Sequence, residues 1–225
     1  MLFTLFDYLR PLDIRMILLL LVSYTALIFV MLPVHELAHA FAADKLGDNT
    51  PRWHGRLRFH PLAHLDLWGT LMLVLFGFGY AKPVPVNPRN FRNPRRDMAL
   101  TALAGPLSNL LMAALSLGLF RLITVVSDNA QIVYISFVVL VVVFASVNLG
   151  LAVFNLLPVP PLDGSRIVAL FLPDRVMYTL ERYSQQITWL MMVLLFIGKL
   201  DAPLNVMRHF LGGILCALFG LPNYF

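Results

Sequence analysis

The sequence is poor in charged residues and in cysteine. Only 13% of its 225 residues are charged, and only two of these are glutamates. The single cysteine, Cys216, excludes an intramolecular disulfide and is expected to be a small buried packing residue. Because 59% of the residues are hydrophobic, the composition excludes an ordinary soluble domain.

The sequence contains several long apolar runs. Several approach or reach the roughly 20 residues that a helix needs to cross a bilayer. They cover residues 16–32, 98–120, 132–157, 187–197 and 204–221. We therefore predict an all-α polytopic membrane protein with about five to six membrane segments, surrounded by the lipid bilayer.

The chain between the first two long runs has a different character. A first helix is predicted over residues 13–46, with a kink at Pro33. Residues 48–66 mix Arg, His, Pro and Gly with apolar residues, which indicates a small β-hairpin. Residues 67–80 are too short for a comfortable crossing and contain three glycines, so they are interpreted as a re-entrant or interfacial segment.

The net charge of +5 does not indicate a nucleic-acid partner, because the basic residues are interleaved with apolar spans. Residues 44–66, 81–97 and 158–186 contain 12 of the 17 Lys and Arg residues. By the positive-inside rule these segments face the cytoplasm. We expect a multi-pass protein of the cell membrane with its active site toward the cytoplasmic side, and the N-terminal orientation stays open.

One short motif is typical of a metal-binding site. The sequence His35-Glu36-Leu37-Ala38-His39 has the H-E-x-x-H pattern and lies in the first predicted helix. Histidines at i and i+4 project from one helix face about 6 Å apart along the axis, so both imidazoles can reach one Zn²⁺. Glu36 lies beside them, where it can act as a general base toward a water molecule.

A site with two histidines needs a third protein ligand, and Asp163 is the leading candidate. The long apolar run before it is broken by Pro158, Pro160 and Pro161. These prolines stop the helix, and Gly164 permits a tight turn, so Asp163 can turn back toward the histidines. Considered alone, the same stretch also fits a plain loop that ends a helix.

Together these motifs resemble the site-2 proteases, polytopic zinc metalloproteases that perform regulated intramembrane proteolysis. The resemblance rests on the H-E-x-x-H motif, on Asn155-x-x-Pro158-x-Pro160-x-x-Asp163-Gly164 and on Gly105-Pro106-x-x-Asn109. His64-Leu65-Asp66, Trp68-Gly69-Thr70 and residues 81–87 also resemble the compact prokaryotic branch. We expect neither the inserted PDZ domain nor the appended CBS domain that many members of the family have. Residues 1–225 are interpreted as one membrane metalloprotease domain, with a catalytic core at about 16–170 and C-terminal spans at about 187–221.

The resemblance also implies a role for each residue that matches the family motifs. It makes His35, His39 and Asp163 the ligands of one zinc ion per chain and Glu36 the catalytic base. Asn155 either orients the substrate and the developing oxyanion or stabilises a helix kink. The implied reaction is hydrolysis of peptide bonds in membrane-spanning protein substrates.

Other interpretations remain open at this point. The sequence fits two other functions less well. One is an inactive homologue that serves as a scaffold, and the other is a zinc or proton-coupled transporter whose His and Asp residues line a pathway.

The strand-like chain at 52–66 is expected to pair with an unwound substrate by β-augmentation. His54, His60 and His64 are interpreted as loop or interface histidines, although His64 begins a family-like segment. The oligomeric state and the role of His64 stay undetermined.

Overall fold

The structure of the chain is a computed structural model, and it describes residues 22, 25, 27–76, 81–126 and 132–225. Within these residues every regular element is helical and no strand occurs. A π-helical turn, Leu27–Met31, leads directly into the first α-helix. The α-helices are α1 (Leu32–Lys45), α2 (Thr50–Trp53), α3 (Pro61–His64), α4 (Leu67–Phe76), α5 (Pro94–Val126), α6 (Ile132–Asn155), α7 (Asp163–Val168), α8 (Asp174–Arg182), α9 (Ser184–Phe196) and α10 (Asp201–Leu218).

The π-helical turn ends two residues before Pro33, the position at which the sequence predicts a kink. Proline has no backbone N–H and clashes with the carbonyl one turn earlier, and a widened turn accommodates such a clash. The part of the predicted first helix that precedes this turn lies almost wholly outside the described residues.

The β-hairpin predicted after α1 is not observed, although residues 48–66 are all described. Two single-turn helices, α2 and α3, stand there instead, and each has a proline in its first turn. Proline fixes φ near the helical value and tolerates the missing N–H at that position, so it starts a helical turn readily. Residues 48–66 therefore contain no strand for the predicted β-augmentation with a substrate.

The two long helices α5 and α6 form the centre of the fold. The side chains of Ala113, Leu149 and Val153 form one buried cluster, and Leu117, Ala145 and Cys216 form a second. Small residues let helix backbones approach closely, which is how helices pack within a membrane. Cys216 is free and buried, as the sequence predicts.

The outer face of α5 is apolar and exposed. Leu107, Leu111, Leu115, Leu119 and Leu122 are all exposed, and their spacing of three or four residues places them on one side of the helix. Among the described residues, α5 is long and apolar enough to cross a membrane by itself. The helices α9 and α10 reach that criterion together, with a bend of 83° between them.

Candidate metal centre

The helix α1 provides two histidines of the candidate metal centre. His35 and His39 are buried, with 6% and 8% of their surface exposed, and their rings meet edge to face with centroids 4.6 Å apart. Helical periodicity alone places the two rings on one face. That face packs against α5, so the two imidazoles lie between helices rather than in solvent.

Asp163 reaches the histidines from the far side of the fold. It is the first residue of α7, which packs on α5 and follows the proline-rich turn after α6. Its Oδ2 atom lies 3.2 Å from His35 Nε2 and 3.2 Å from His39 Nε2. The two Nε2 atoms are 3.0 Å apart. The structure thus brings together the three residues that the sequence proposes as ligands.

The size of this triangle tests whether zinc fits. Four ligands at 2.0–2.1 Å in a tetrahedron are separated from one another by about 3.3 Å. The three measured separations, 3.0, 3.2 and 3.2 Å, match the edges of such a tetrahedron. Two imidazole nitrogens and a carboxylate oxygen also form a donor set that zinc prefers. The three residues therefore fit a zinc ion and leave a fourth position open.

A hydrogen bond from His39 fixes which of its nitrogens is available. His39 Nδ1 lies 2.7 Å from the carbonyl oxygen of Thr101 on α5. A carbonyl only accepts, so Nδ1 carries the proton and Nε2 keeps its lone pair for a metal. Sequence reasoning did not find Thr101, because a backbone carbonyl leaves no mark in the residue type.

Gly105 allows the close approach of α1 to α5. A Cβ atom at this position would lie 2.5 Å from Cε1 of His39 and 2.6 Å from Cε1 of His35. Both distances are far inside van der Waals contact, so no other residue fits while the rings stay in place. Gly105 belongs to the Gly105-Pro106-x-x-Asn109 motif, and the structure shows that the groups packed against it are the rings of the two histidines.

The remaining predicted site residues differ in their contacts. Glu36 is half-buried and follows His35 directly on α1. Asn155 is the last residue of α6, and its Nδ2 atom donates to the Leu151 carbonyl of the same helix at 2.9 Å. This contact lies within α6, and both interpretations of Asn155 stay predictions.

The other histidines of this region form no second cluster. His54 and His60 are exposed, whereas His64 is fully buried. In the part of the chain that the structure describes, the one group of metal-binding side chains is His35, His39 and Asp163. The interpretation of His54 and His60 as loop residues agrees with their exposure.

Two buried histidines and a carboxylate, held close together by apolar helices, form a candidate metal-binding site. Comparison with known proteins narrows the class of protein. Residues 118–198 match the family described as Peptidase family M50. The chain is 37% identical over 190 residues to the Bacillus subtilis protein named "Putative zinc metalloprotease YwhC", covering 83% of this chain and 82% of that protein.

More distant relatives carry the same kind of name. Rip2 of Mycolicibacterium smegmatis is 30% identical over 164 residues, which cover 70% of this chain and 59% of Rip2. MJ0611 of Methanocaldococcus jannaschii is 29% identical over 138 residues, which cover 60% of this chain and 62% of that protein. Both have names that begin with "Putative zinc metalloprotease". No solved structure gives a significant match.

The chain belongs to peptidase family M50, the site-2 proteases, and is a zinc metalloprotease. Proteases of this family are membrane proteins, and the exposed leucines of α5 agree with a lipid environment. Membership confirms the resemblance that the sequence motifs indicate.

Proposed function

We propose that this chain is an intramembrane endopeptidase that cuts membrane-spanning protein substrates in regulated proteolysis. In this proposal His35, His39 and Asp163 hold one zinc ion per chain, and Glu36 is the general base. The observation that carries the proposal is the triangle of ligand atoms, built on a buried helix face between apolar helices. A metal site enclosed in this way suits a substrate that arrives through the bilayer.

Each residue of the site has a different role in the proposed hydrolysis. Zinc, when bound, acts as a Lewis acid that polarises a peptide carbonyl and makes water more acidic. Glu36 takes a proton from the attacking water and passes it to the nitrogen of the leaving amine. The Thr101 carbonyl holds the His39 ring in one tautomer and orientation, which preserves the geometry of the site through the cycle.

The basic segments support a position of the site near the cytoplasmic face of the membrane. Asp48 accepts hydrogen bonds from Asn87 and Asn90, which joins residues 44–66 to residues 81–97. Arg95 pairs with Asp174, which joins residues 81–97 to residues 158–186. The three basic segments therefore lie at one end of the molecule, in agreement with the proposal that all face the cytoplasm.

The metal centre lies a short distance inside this basic end. Thr101 is about two turns into α5, so it lies roughly 10 Å from the first residue of that helix. His39 lies at a similar depth in α1, whose last residue is the basic Lys45. We propose a single membrane domain over residues 1–225 with five to six membrane segments and with the site submerged on the cytoplasmic side.

Cleavage of a defined substrate tests this proposal. The purified chain is incubated in detergent with a tagged single-span membrane protein, with and without a zinc chelator, and the products are mapped by mass spectrometry. We expect a cut inside or at the edge of the apolar segment, made by the untreated wild type and absent from the Glu36→Gln variant.

The chain offers a matched control for that variant. Its other glutamate, Glu181, is exposed on α8, and the Glu181→Gln variant should cut like the wild type. Zinc content, measured by elemental mass spectrometry, should be one ion per chain in all three proteins. Unimpaired cleavage by Glu36→Gln would contradict the role of the base, and cuts confined to soluble parts of the substrate would contradict an intramembrane protease.

A further inference from the structure

The nine-residue helix α8 has two sides of different polarity. Its apolar side chains are one and four residues apart, so they share one side of the helix, and they are Val176, Met177 and Leu180. The opposite side is polar and carries Arg175, Thr179 and Arg182. A helix with such a pattern normally buries its apolar side against another surface.

The rest of the protein does not cover the apolar side of α8. No residue of this helix is buried, and Val176 is 41% exposed. Met177 and Leu180 are partly exposed as well. The neighbour of α8 in the fold is α9, which follows it directly along the chain. The apolar side of α8 therefore calls for a partner that the described helices do not provide.

An ion pair fixes the level at which α8 begins. Asp174, its first residue, pairs with Arg95 in the first turn of α5. The long apolar run of α5 starts three residues after Arg95, at Met98, which is about 4.5 Å further along the helix axis. The start of α8 is therefore level with the point at which α5 enters the bilayer, where the lipid headgroups meet the acyl chains.

The residues on and around α8 are typical of that boundary. Phe171, shortly before the helix, is 79% exposed, and Tyr178 and Tyr183 are also exposed. Aromatic rings are enriched where membrane and water meet. The guanidinium group of Arg182 lies 5.7 Å from the centre of the Tyr183 ring. Long basic side chains can pack their stems on apolar groups and extend their charged ends to the headgroups.

The charge of α8 suits a lipid surface with anionic headgroups. Arg95 neutralises Asp174, so the charges that remain on the helix are those of Arg175, Glu181 and Arg182, and their sum is positive. The same end of the molecule carries the basic segment 81–97. Basic residues at a membrane surface attract anionic phospholipids.

We propose that α8 is an interfacial helix that docks on the lipid surface at the basic end of the molecule. Its apolar side faces the acyl chains, and Arg175 and Arg182 face anionic headgroups. The apolar side of such a helix lies roughly 5–10 Å within the boundary between headgroups and acyl chains. The inference uses the location of the protein in a membrane and is independent of the metal centre and of Glu36.

Spin-label accessibility tests this proposal on the full chain in vesicles of phosphatidylcholine and phosphatidylglycerol. Cys216 is the single cysteine and is buried, so a Cys216→Ala background lets one label be placed at a time. The labelled cysteines replace two residues of the apolar side and two of the polar side, namely Met177, Leu180, Arg175 and Thr179. Melting temperatures check that each labelled protein is folded.

Two exposed residues elsewhere serve as matched references. Leu111→Cys on α5 reports the acyl region, and Arg89→Cys in the basic segment reports water. Oxygen, which is concentrated among acyl chains, should reach the labels at Met177 and Leu180 as it reaches the one at Leu111. A water-soluble nickel chelate should reach the polar side of α8 as it reaches the label at Arg89.

Three other results would overturn the proposal. Equal access of the nickel chelate to both sides would place α8 in water. Poor access of both reagents to the apolar side would show that protein covers it. Broadening of the spectrum that disappears when labelled protein is diluted with unlabelled protein would identify a second copy of the chain as the partner.

The role of the headgroup charge has a test of its own. In vesicles with phosphatidylglycerol, the label at Met177 should lie deeper than in vesicles of phosphatidylcholine alone. The double variant Arg175→Gln/Arg182→Gln should lose this difference. Arg121→Gln, at an exposed arginine near the other end of α5, is the matched control and should keep it. A label depth that is the same in both lipids would overturn the recognition of anionic headgroups.

Discussion

The substitution Gly105→Ala should weaken zinc binding at the site without unfolding the protein. The added Cβ atom would lie 2.5 Å from Cε1 of His39 and 2.6 Å from Cε1 of His35. Ordinary carbon contacts are about 3.5–4.0 Å, so the rings would have to retreat by about 1 Å. His39 cannot do so freely, because its Nδ1 is bonded to the Thr101 carbonyl.

The expected effect is large on the metal and small on the fold. Metal–ligand distances tolerate deviations of only about 0.2 Å, so a shift of about 1 Å should weaken zinc binding by at least about tenfold. Misplacement by about 1 Å costs on the order of a hundredfold in rate. Overpacking costs about 1–3 kcal/mol, but alanine is favoured over glycine in a helix by about 1 kcal/mol, which offsets part of it.

Zinc content, cleavage rate and melting temperature are measured together for this variant. Gly150→Ala serves as the matched control, because Gly150 is also inside a long helix and its added Cβ would meet nothing within 4 Å. The control should keep its zinc and its activity. If Gly105→Ala bound zinc and cut substrate like the control, the close approach of α1 and α5 at this residue would be wrong.

Two further predictions concern the first turn of α7 and the loop after α1. In Gly164→Ala the new Cβ would collide with the backbone carbonyls of Leu156 and Leu157, so Asp163 should be displaced and zinc content should fall, while His35 and His39 stay in place. Asp48→Ala should lower the free energy of unfolding by about 3 kcal/mol, since a buried carboxylate with several donors is lost. Burial raises the pKa of the Asp48 carboxyl, but donors from Thr50, Asn87 and Asn90 outweigh burial and hold it below its usual value. The stabilisation that the Asp48 carboxylate provides should therefore be complete above about pH 4 and disappear as the pH falls through the lowered pKa. The difference in melting temperature between wild type and Asp48→Ala should shrink over the same range. A difference that stayed constant at lower pH would refute the role given to the carboxylate.

The parts of the site that obey local rules were predictable from the sequence. The spacing of His35 and His39 fixes their common face, because helix geometry depends only on neighbouring residues. The apolar runs predicted α5 and α6, and the prolines predicted the end of α6 before Asp163. The prediction of a β-hairpin was wrong, because alternation of polar and apolar residues is a weak signal over a few residues. Pro51 and Pro61 favour helical turns instead.

The parts that depend on distant residues were decided by the tertiary structure. The sequence by itself determined a helical chain rich in membrane-length apolar runs, with an H-E-x-x-H helix and a carboxylate after a helix stop. Only packing shows that the Thr101 carbonyl orients His39, that Gly105 makes room for both rings, and that His64 is fully buried. A backbone carbonyl, a missing Cβ and the burial of one side chain have no pattern along the chain, because each depends on what another helix places against it.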